Sequence, residues 1–320
     1  MHVVDYVPGK YHYALGDASH AYSNNKLRSF TRELVYIPGQ NLLFVFDRVL
    51  SANPSFRKAW LLHGVNQPAI DHSTEKAAAG AQEFRQAKIF RFSEGSGELL
   101  AHCLLPKERV ITRRGGIGDE FYAPGDDHGG AWGSGESWPL EPPEGAPLPD
   151  DPKLRRMWKL FWGEDFNRIL PSNRKNVVPG AWRIEVSPAS PSQEDFFLHV
   201  LEIGASGKTG GHRVELLDGA GVQGAAFEQG PMILFSATGE PIANAEVSLP
   251  DMNCESLILT GLQPDATYEL NLGGLNATSV QGVVLPGVSA GTEKLRANSK
   301  GILHVQRRDL KNLRLRIARL

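Results

Sequence analysis

The chain has 320 residues, 41% hydrophobic and 22% charged, with a formal net charge of −2. That is the composition of an ordinary globular protein, and its near-zero charge excludes nucleic acid or an anionic membrane as a partner attracted by the overall field. No apolar run approaches the length of a membrane span, and the opening MHVVDYVPGK lacks the apolar core and cleavage site of a secretory leader. The first 25 residues contain YHYALGDASHAYSNN, in which His12, Asp17 and His20 are spaced H-x4-D-x2-H. On a regular strand His12 and His20 share a face and Asp17 does not, so the three do not converge. No helical or tight Cys-type zinc scaffold accompanies them, and the stretch reads as the entrance to a sheet, with Asp17 or Ser19 bonding local backbone.

ELVYIPGQNLLFVFDRV, residues 33–49, reads as a hairpin turning at Pro38-Gly39, with Pro38 fixing φ and Gly39 taking φ > 0. Pairing Ile37 with Leu42 sets Arg32 opposite Asp47, whereas pairing Ile37 with Gln40 makes them diagonal. Both registers keep them on one face. A carboxylate among Leu43 and Val45 needs a partner, so Arg32 and Asp47 are expected to form a structural ion pair. KAWLLHGVN (58–66), KIFRFSE (88–94) and GELLAHCLLP (97–106) continue the strand rhythm. His63 closes an apolar strand beside Gly64. A histidine where a strand opens into a loop is a candidate for lining a cleft, and the other reading is a hydrogen-bonded structural residue.

Residues 117–151 carry nine acidic side chains and no Lys or Arg, together with seven Gly and six Pro. This segment reads as a long irregular loop. It lacks the EF-hand pattern for Ca²⁺, and its aromatics, Trp132 among them, suit stacking on sugar faces or packing of the loop. Its negative charge would repel a polyanion, so Arg113 and Arg114 just before it are better placed to grip one. Residues 151–166, DPKLRRMWKLFWGEDF, are expected to form a short helix with Asp151 as N-cap and Pro152 at its first position.

AWRIEVSP (181–188) alternates strictly, with Trp182, Ile184 and Val186 on one face and Arg183 and Glu185 on the other. FFLHVLEIG, HRVELLD and PMILFSA follow. After Ala243, SLILTGLQPDATYELNLGG and GILHVQRRDLKNLRLRIARL read as a small closing β-sandwich. From Lys294 onward there are nine Lys or Arg and one acid, Asp309, read as charge protecting edge strands or as attraction for an anionic polymer. Cys103 and Cys254 lie far apart and read as two buried free thiols. The expected fold is all-β: a large antiparallel β-sandwich over residues 1–243, then a small β-sandwich over 244–320.

The order GDASHAYSNNKLRSFTRELVYI, LLFVFDRVLS, FRKAWLLHGVNQP, HCLLPKERVITRRGGIGDEFY and PGAWRIEVSPASPSQEDFFLHVLEIG resembles the heparinase II/III-like polysaccharide lyases over roughly residues 5–240. The resemblance implies the central β-sheet domain of a bacterial-type enzyme that cleaves acidic polysaccharide by β-elimination. Such enzymes place an α/α toroid before this domain and take most catalytic residues from it. They bind zinc through an H-x-H segment, a strand Asp and a His-Asn pair near the start of the sheet domain. This chain has no H-x-H and no His-Asn, so no catalytic residue and no metal or other cofactor is carried onto it, and it reads as a truncated lyase with little activity alone. The implied partners are an acidic polysaccharide or oligosaccharide and a toroid domain or chain, in the periplasm or outside the cell. Substrate-contact candidates are His63, Arg113, Arg114 and Trp132. The alternative is a non-catalytic carbohydrate-binding or scaffold β-sandwich.

Overall fold

A computed structural model describes residues 3–71, 80–116, 181–274, 291–307 and 310–320. The acidic segment, Trp132 and the helix expected over 151–166 lie outside the described residues. The all-β expectation is borne out: regular structure among the described residues is strand, apart from one 3-10 turn at Ser19–Ala21. The first strands are β1 (Val3–Val7), β2 (Tyr11–Asp17), β3 (Leu27–Ile37), β4 (Leu42–Ser51), β5 (Trp60–Gly64), β6 (Ala69–Ile70) and β7 (Gly80–Arg85). Next come β8 (Ile89–Glu94), β9 (Gly97–Leu105), β10 (Arg109–Gly115), β11 (Trp182–Pro188), β12 (Glu194–Ala205), β13 (Val214–Gly219) and β14 (Val222–Phe227). The last are β15 (Pro231–Ser236), β16 (Asn244–Ser248), β17 (Ser256–Leu259), β18 (Thr267–Gly274), β19 (Gly291–Arg296), β20 (Leu303–Gln306) and β21 (Leu313–Arg319).

The chain divides into two units. The first takes Met1–Lys58, Glu98–Glu108 and Ser190–Leu320. It is built as three sheets in layers. One runs β1-β2-β3-β4-β12-β9, the middle one β13-β14-β15-β17-β20, and the third β16-β21-β18-β19. Tyr13, Val35, Phe44, Phe46, Leu198 and Val200 of the first sheet meet Ala225, Phe227, Ile233, Phe235 and Ile258 of the middle one. Phe46 and Phe235 stack with centroids 4.9 Å apart. The opposite face of the middle sheet, with Val222, Met232, Leu234, Leu257 and Leu259, packs on Val247, Leu270, Leu272, Leu315 and Ile317 of the third. A sheet covered on both sides needs uninterrupted apolar strands, and every residue of PMILFS in β15 is buried. Gly224 in β14 is required here, because a Cβ would meet the Ile233 carbonyl oxygen at 2.0 Å.

The hairpin takes the register with Ile37 opposite Leu42 and Arg32 opposite Asp47. Its turn differs from expectation in one respect: the positive φ, +51°, falls at Asn41 and not at Gly39. The Gln40 amide donates to the Ile37 carbonyl, closing a turn over Pro38-Gly39, and the extra residue needed to rejoin the strand takes the left-handed conformation that Asn tolerates. Between the first two sheets lies a buried polar cluster. The Tyr13 hydroxyl and the Thr260 hydroxyl both donate to Glu33 Oε2, each at 2.8 Å. Cys103 and Cys254 are free and buried, and burial, followed by the nearby Glu228 and Glu215, pushes the Cys254 thiol up to about 12.

The second unit takes Ala59–Gly97 and Arg109–Ala189. Its sheet runs β5-β11-β10-β7, all antiparallel. Beside it β6 pairs with β8. Trp60 of β5 lies against Phe90 of β8, with centroids 6.3 Å apart. Among the described residues no helix is long and apolar enough to cross a membrane.

Candidate functional site

Strand alternation splits the second unit's sheet into two chemically different faces. Trp60, Ile184, Val186 and Ile111 are buried and share one face. The other face carries Leu61 and His63 from β5, Arg183 and Glu185 from β11, and Thr112 and Arg114 from β10. Registers place His63 directly opposite Arg183, and Arg183 directly opposite Arg114. Two guanidiniums and an imidazole thus form one row across three strands. One register along, Leu61, Glu185 and Thr112 form the next row.

Glu185 organises the cationic row. Its Oε1 accepts from Arg183 Nη2 at 2.5 Å and lies 3.5 Å from Arg114 Nε. Arg183 and Glu185 are buried, at 3% and 1% exposure, whereas Arg114 keeps a fifth of its side chain exposed. His63 lies on the edge strand and is exposed. Its imidazole titrates below the ordinary histidine value, first through partial burial of the ring and then through the Arg183 charge, with Glu185 opposing. At neutral pH it is therefore an uncharged hydrogen-bonding group beside guanidiniums. The row also has a fixed end: a Cβ on Gly115, at φ +147°, would meet the Ala181 carbonyl oxygen at 2.2 Å, so β10 and β11 close tightly next to Arg114.

The structure treats the sequence candidates differently. His63 and Arg114 come together on one face. Arg113 is turned by alternation to the apolar face and is 2% exposed. Its guanidinium donates to the Pro68 carbonyl at 2.9 Å and to Gln82 Oε1 at 2.6 Å and lies over the Phe84 ring. Consecutive strand residues cannot serve one surface, so the pair Arg113-Arg114 is split between two. Arg183 and Glu185 were legible only as the polar side of an alternating strand. Nothing local marked them as neighbours of His63.

In the first unit Arg32 and Asp47 form a bidentate ion pair, with both N···O distances 2.6 Å. His12 lies on the outer face of β2, between Tyr6 and Tyr36. Asp17 Oδ1 accepts from the Ser19 amide at 2.8 Å, and the Ser19 side chain first, then this amide, hold its carboxyl below the usual range. His20 sits in the 3-10 turn. Among the described residues no three His, Cys, Asp or Glu side chains are grouped to hold a metal ion.

No protein-family model matches the sequence, and no curated protein matches it. Among solved structures the chain is similar to a heparan sulfate lyase HepC mutant from Pedobacter heparinus. The identity is 9% and the TM-score 0.35, over 70% of this chain and 25% of that one. The chain thus spans about a quarter of that protein's length.

The polar face has the donors that carboxylates and other oxyanions need. A guanidinium offers a fixed fork of N–H groups to a carboxylate or sulfate. A neutral imidazole beside it can bond a sugar hydroxyl or ring oxygen without adding charge. Glu185 keeps the buried Arg183 paired, which leaves Arg114 and His63 as the groups with exposed surface.

Proposed function

We propose that the chain is the β-sheet region of a polysaccharide lyase of the heparinase II/III-like kind, and that the polar face around His63 and Arg114 contacts a uronate of an acidic polysaccharide. The observation that carries this reading is the His63–Arg183–Arg114 row. The order of sequence motifs supports it. In β-elimination a base takes the proton α to the uronate carboxylate, the electron pair forms a carbon–carbon double bond, and the glycosidic C–O bond breaks as the leaving oxygen gains a proton. The carbanion-like transition state needs its carboxylate neutralised, and Arg114 is suited to that task. Base and acid are assigned to a partner toroid domain or chain, so the isolated chain binds and does not turn over. The polymer is met in the periplasm or outside the cell.

The test is co-expression with an α/α toroid partner and an ultraviolet assay for unsaturated uronate, with hyaluronan, heparin, alginate and polygalacturonate as substrates. Product from the pair, and little or none from the chain alone, is expected. Silence from a well-folded pair on all four polymers counts against the reading.

A further inference from the structure

The first unit carries a second surface with the chemistry of a sugar site. On the outer face of β1, β2 and β3, Tyr6 stands opposite His12, and His12 opposite Tyr36. Their ring centroids step across the sheet by 5.9 and 6.0 Å. Asn41 Oδ1 accepts from the Tyr36 hydroxyl at 2.9 Å. Further along β3 the same face holds a second aromatic group: Tyr22 packs on Phe30 at 6.2 Å, and the Arg32 guanidinium lies over Phe30 at 5.7 Å.

Between the two groups the floor is low. Ala14 pairs with Leu34 and Gly16 with Arg32. A Cβ built on Gly16 would meet nothing within 4 Å. From Tyr36 to Phe30 the strand runs roughly 20 Å at about 3.4 Å per residue. The face is thus a shallow trough along β2, with an aromatic group at each end, Ala14 and Gly16 at its floor, Leu34 lining it from β3 and Arg32 at the Phe30 end.

Large apolar side chains are normally buried, so a cluster left in water marks a binding surface. Tyr6 is 64% exposed, Val4 67% and Tyr22 51%. Charge selects the occupant. An apolar partner would leave Arg32 desolvated, whereas the half-exposed guanidinium, anchored along one edge by Asp47, complements an acidic substituent. Tyrosine and histidine rings offer an apolar face to sugar C–H groups and polar tips to hydroxyls. We infer that this trough binds a strand of anionic polysaccharide several sugars long, stacking its rings on Tyr6, Tyr36 and Tyr22 and placing an acidic group at Arg32. The inference shares the ligand class of the proposed function but none of its residues.

The test is affinity electrophoresis and calorimetry of the full chain against hyaluronan, heparin and alginate, with neutral xylan as contrast. The paired substitution Tyr6→Ala and Tyr22→Ala is expected to weaken binding by about tenfold or more. Tyr6→Phe with Tyr22→Phe, which keeps the rings, should retain most of it. His63→Ala with Arg114→Ala should leave this component in place, so the two surfaces fail or stand separately. Three results overturn the inference: no binding of any acidic polymer by wild type, unchanged binding by the folded alanine pair, or a concentration-dependent dimer that Tyr6→Ala abolishes.

Discussion

The Tyr13 hydroxyl donates to Glu33 Oε2 at 2.8 Å inside the core of the first unit, where both side chains are buried. Burial comes first among the influences on Glu33 and raises its titration above the ordinary carboxylate value, although the bonds from Tyr13 and Thr260 and the Arg48 charge oppose it. The carboxyl therefore holds its proton longer in the folded state than in the unfolded state. As pH rises above the ordinary carboxylate value the unfolded chain loses this proton first, so stability falls through that window. The contribution is complete below the ordinary value. Glu33→Gln removes the titration and should flatten the decline in urea midpoint as pH rises above the ordinary carboxylate value. An identical slope in both proteins would assign the decline to other groups.

Arg32 and Asp47 provide a test of a half-exposed ion pair. Arg32 keeps 42% of its side chain exposed and Asp47 only 3%. Removing Arg32 strands a buried carboxylate. Breaking a fully buried pair costs about 3–5 kcal/mol, and solvent at Arg32 reduces this to about 1–3 kcal/mol for Arg32→Ala. Replacing both residues by Leu should recover most of the loss, because no uncompensated charge remains. Urea unfolding of the single and double variants measures both.

Glu202 should respond to pH in the opposite sense to Glu33. Burial acts first and raises it. That is outweighed by His102, 2.6 Å from Oε1, by the Gly210 amide donating to Oε2 at 3.1 Å, and by His212, leaving the carboxyl below its ordinary value. Its stabilisation is present above the ordinary carboxylate value and is lost as pH falls through the depressed one. The same contacts tether the segment after β12, where Thr209 also donates to Glu98. Glu202→Gln should reduce acid sensitivity and speed hydrogen exchange at residues 206–212. Unchanged exchange there would separate Glu202 from the tether.

At the polar face of the second unit, Arg114→Ala is expected to weaken binding of a uronate polymer by roughly 10–100-fold, the equivalent of about 1.5–3 kcal/mol for a charge-assisted hydrogen bond. Arg114→Lys keeps the charge without the fork and should recover only part. His63→Ala should cost less, since its ring is uncharged at neutral pH. Binding measured across a salt series checks the charge contribution: the wild-type slope should exceed that of Arg114→Ala.

The contrast between Arg113 and Arg114 shows how far the sequence could be read. Alternation in AWRIEVSP and the continuous apolar run PMILFS are local patterns, because side-chain direction along a strand repeats every two residues whatever surrounds it. The hairpin around Pro38-Gly39 was legible for the same reason, down to two registers that both set Arg32 and Asp47 on one face. The position of the turn's left-handed residue was not, because it depends on how many residues the loop closes with, and Asn41 takes it.

By itself, then, the sequence determined a chain of short antiparallel strands with buried and wet faces, since hydrophobic period and turn chemistry act over a few residues. Only the tertiary structure decided which strands are neighbours. It set β17 parallel to β15 in the middle sheet, placed β12 beside β4, and brought His63 opposite Arg183. Those pairings join segments far apart in the chain, and their loop-closure cost is repaid only when whole sheets pack together. No local pattern encodes that choice, and the candidate site, built across three such strands, appears only once it has been made.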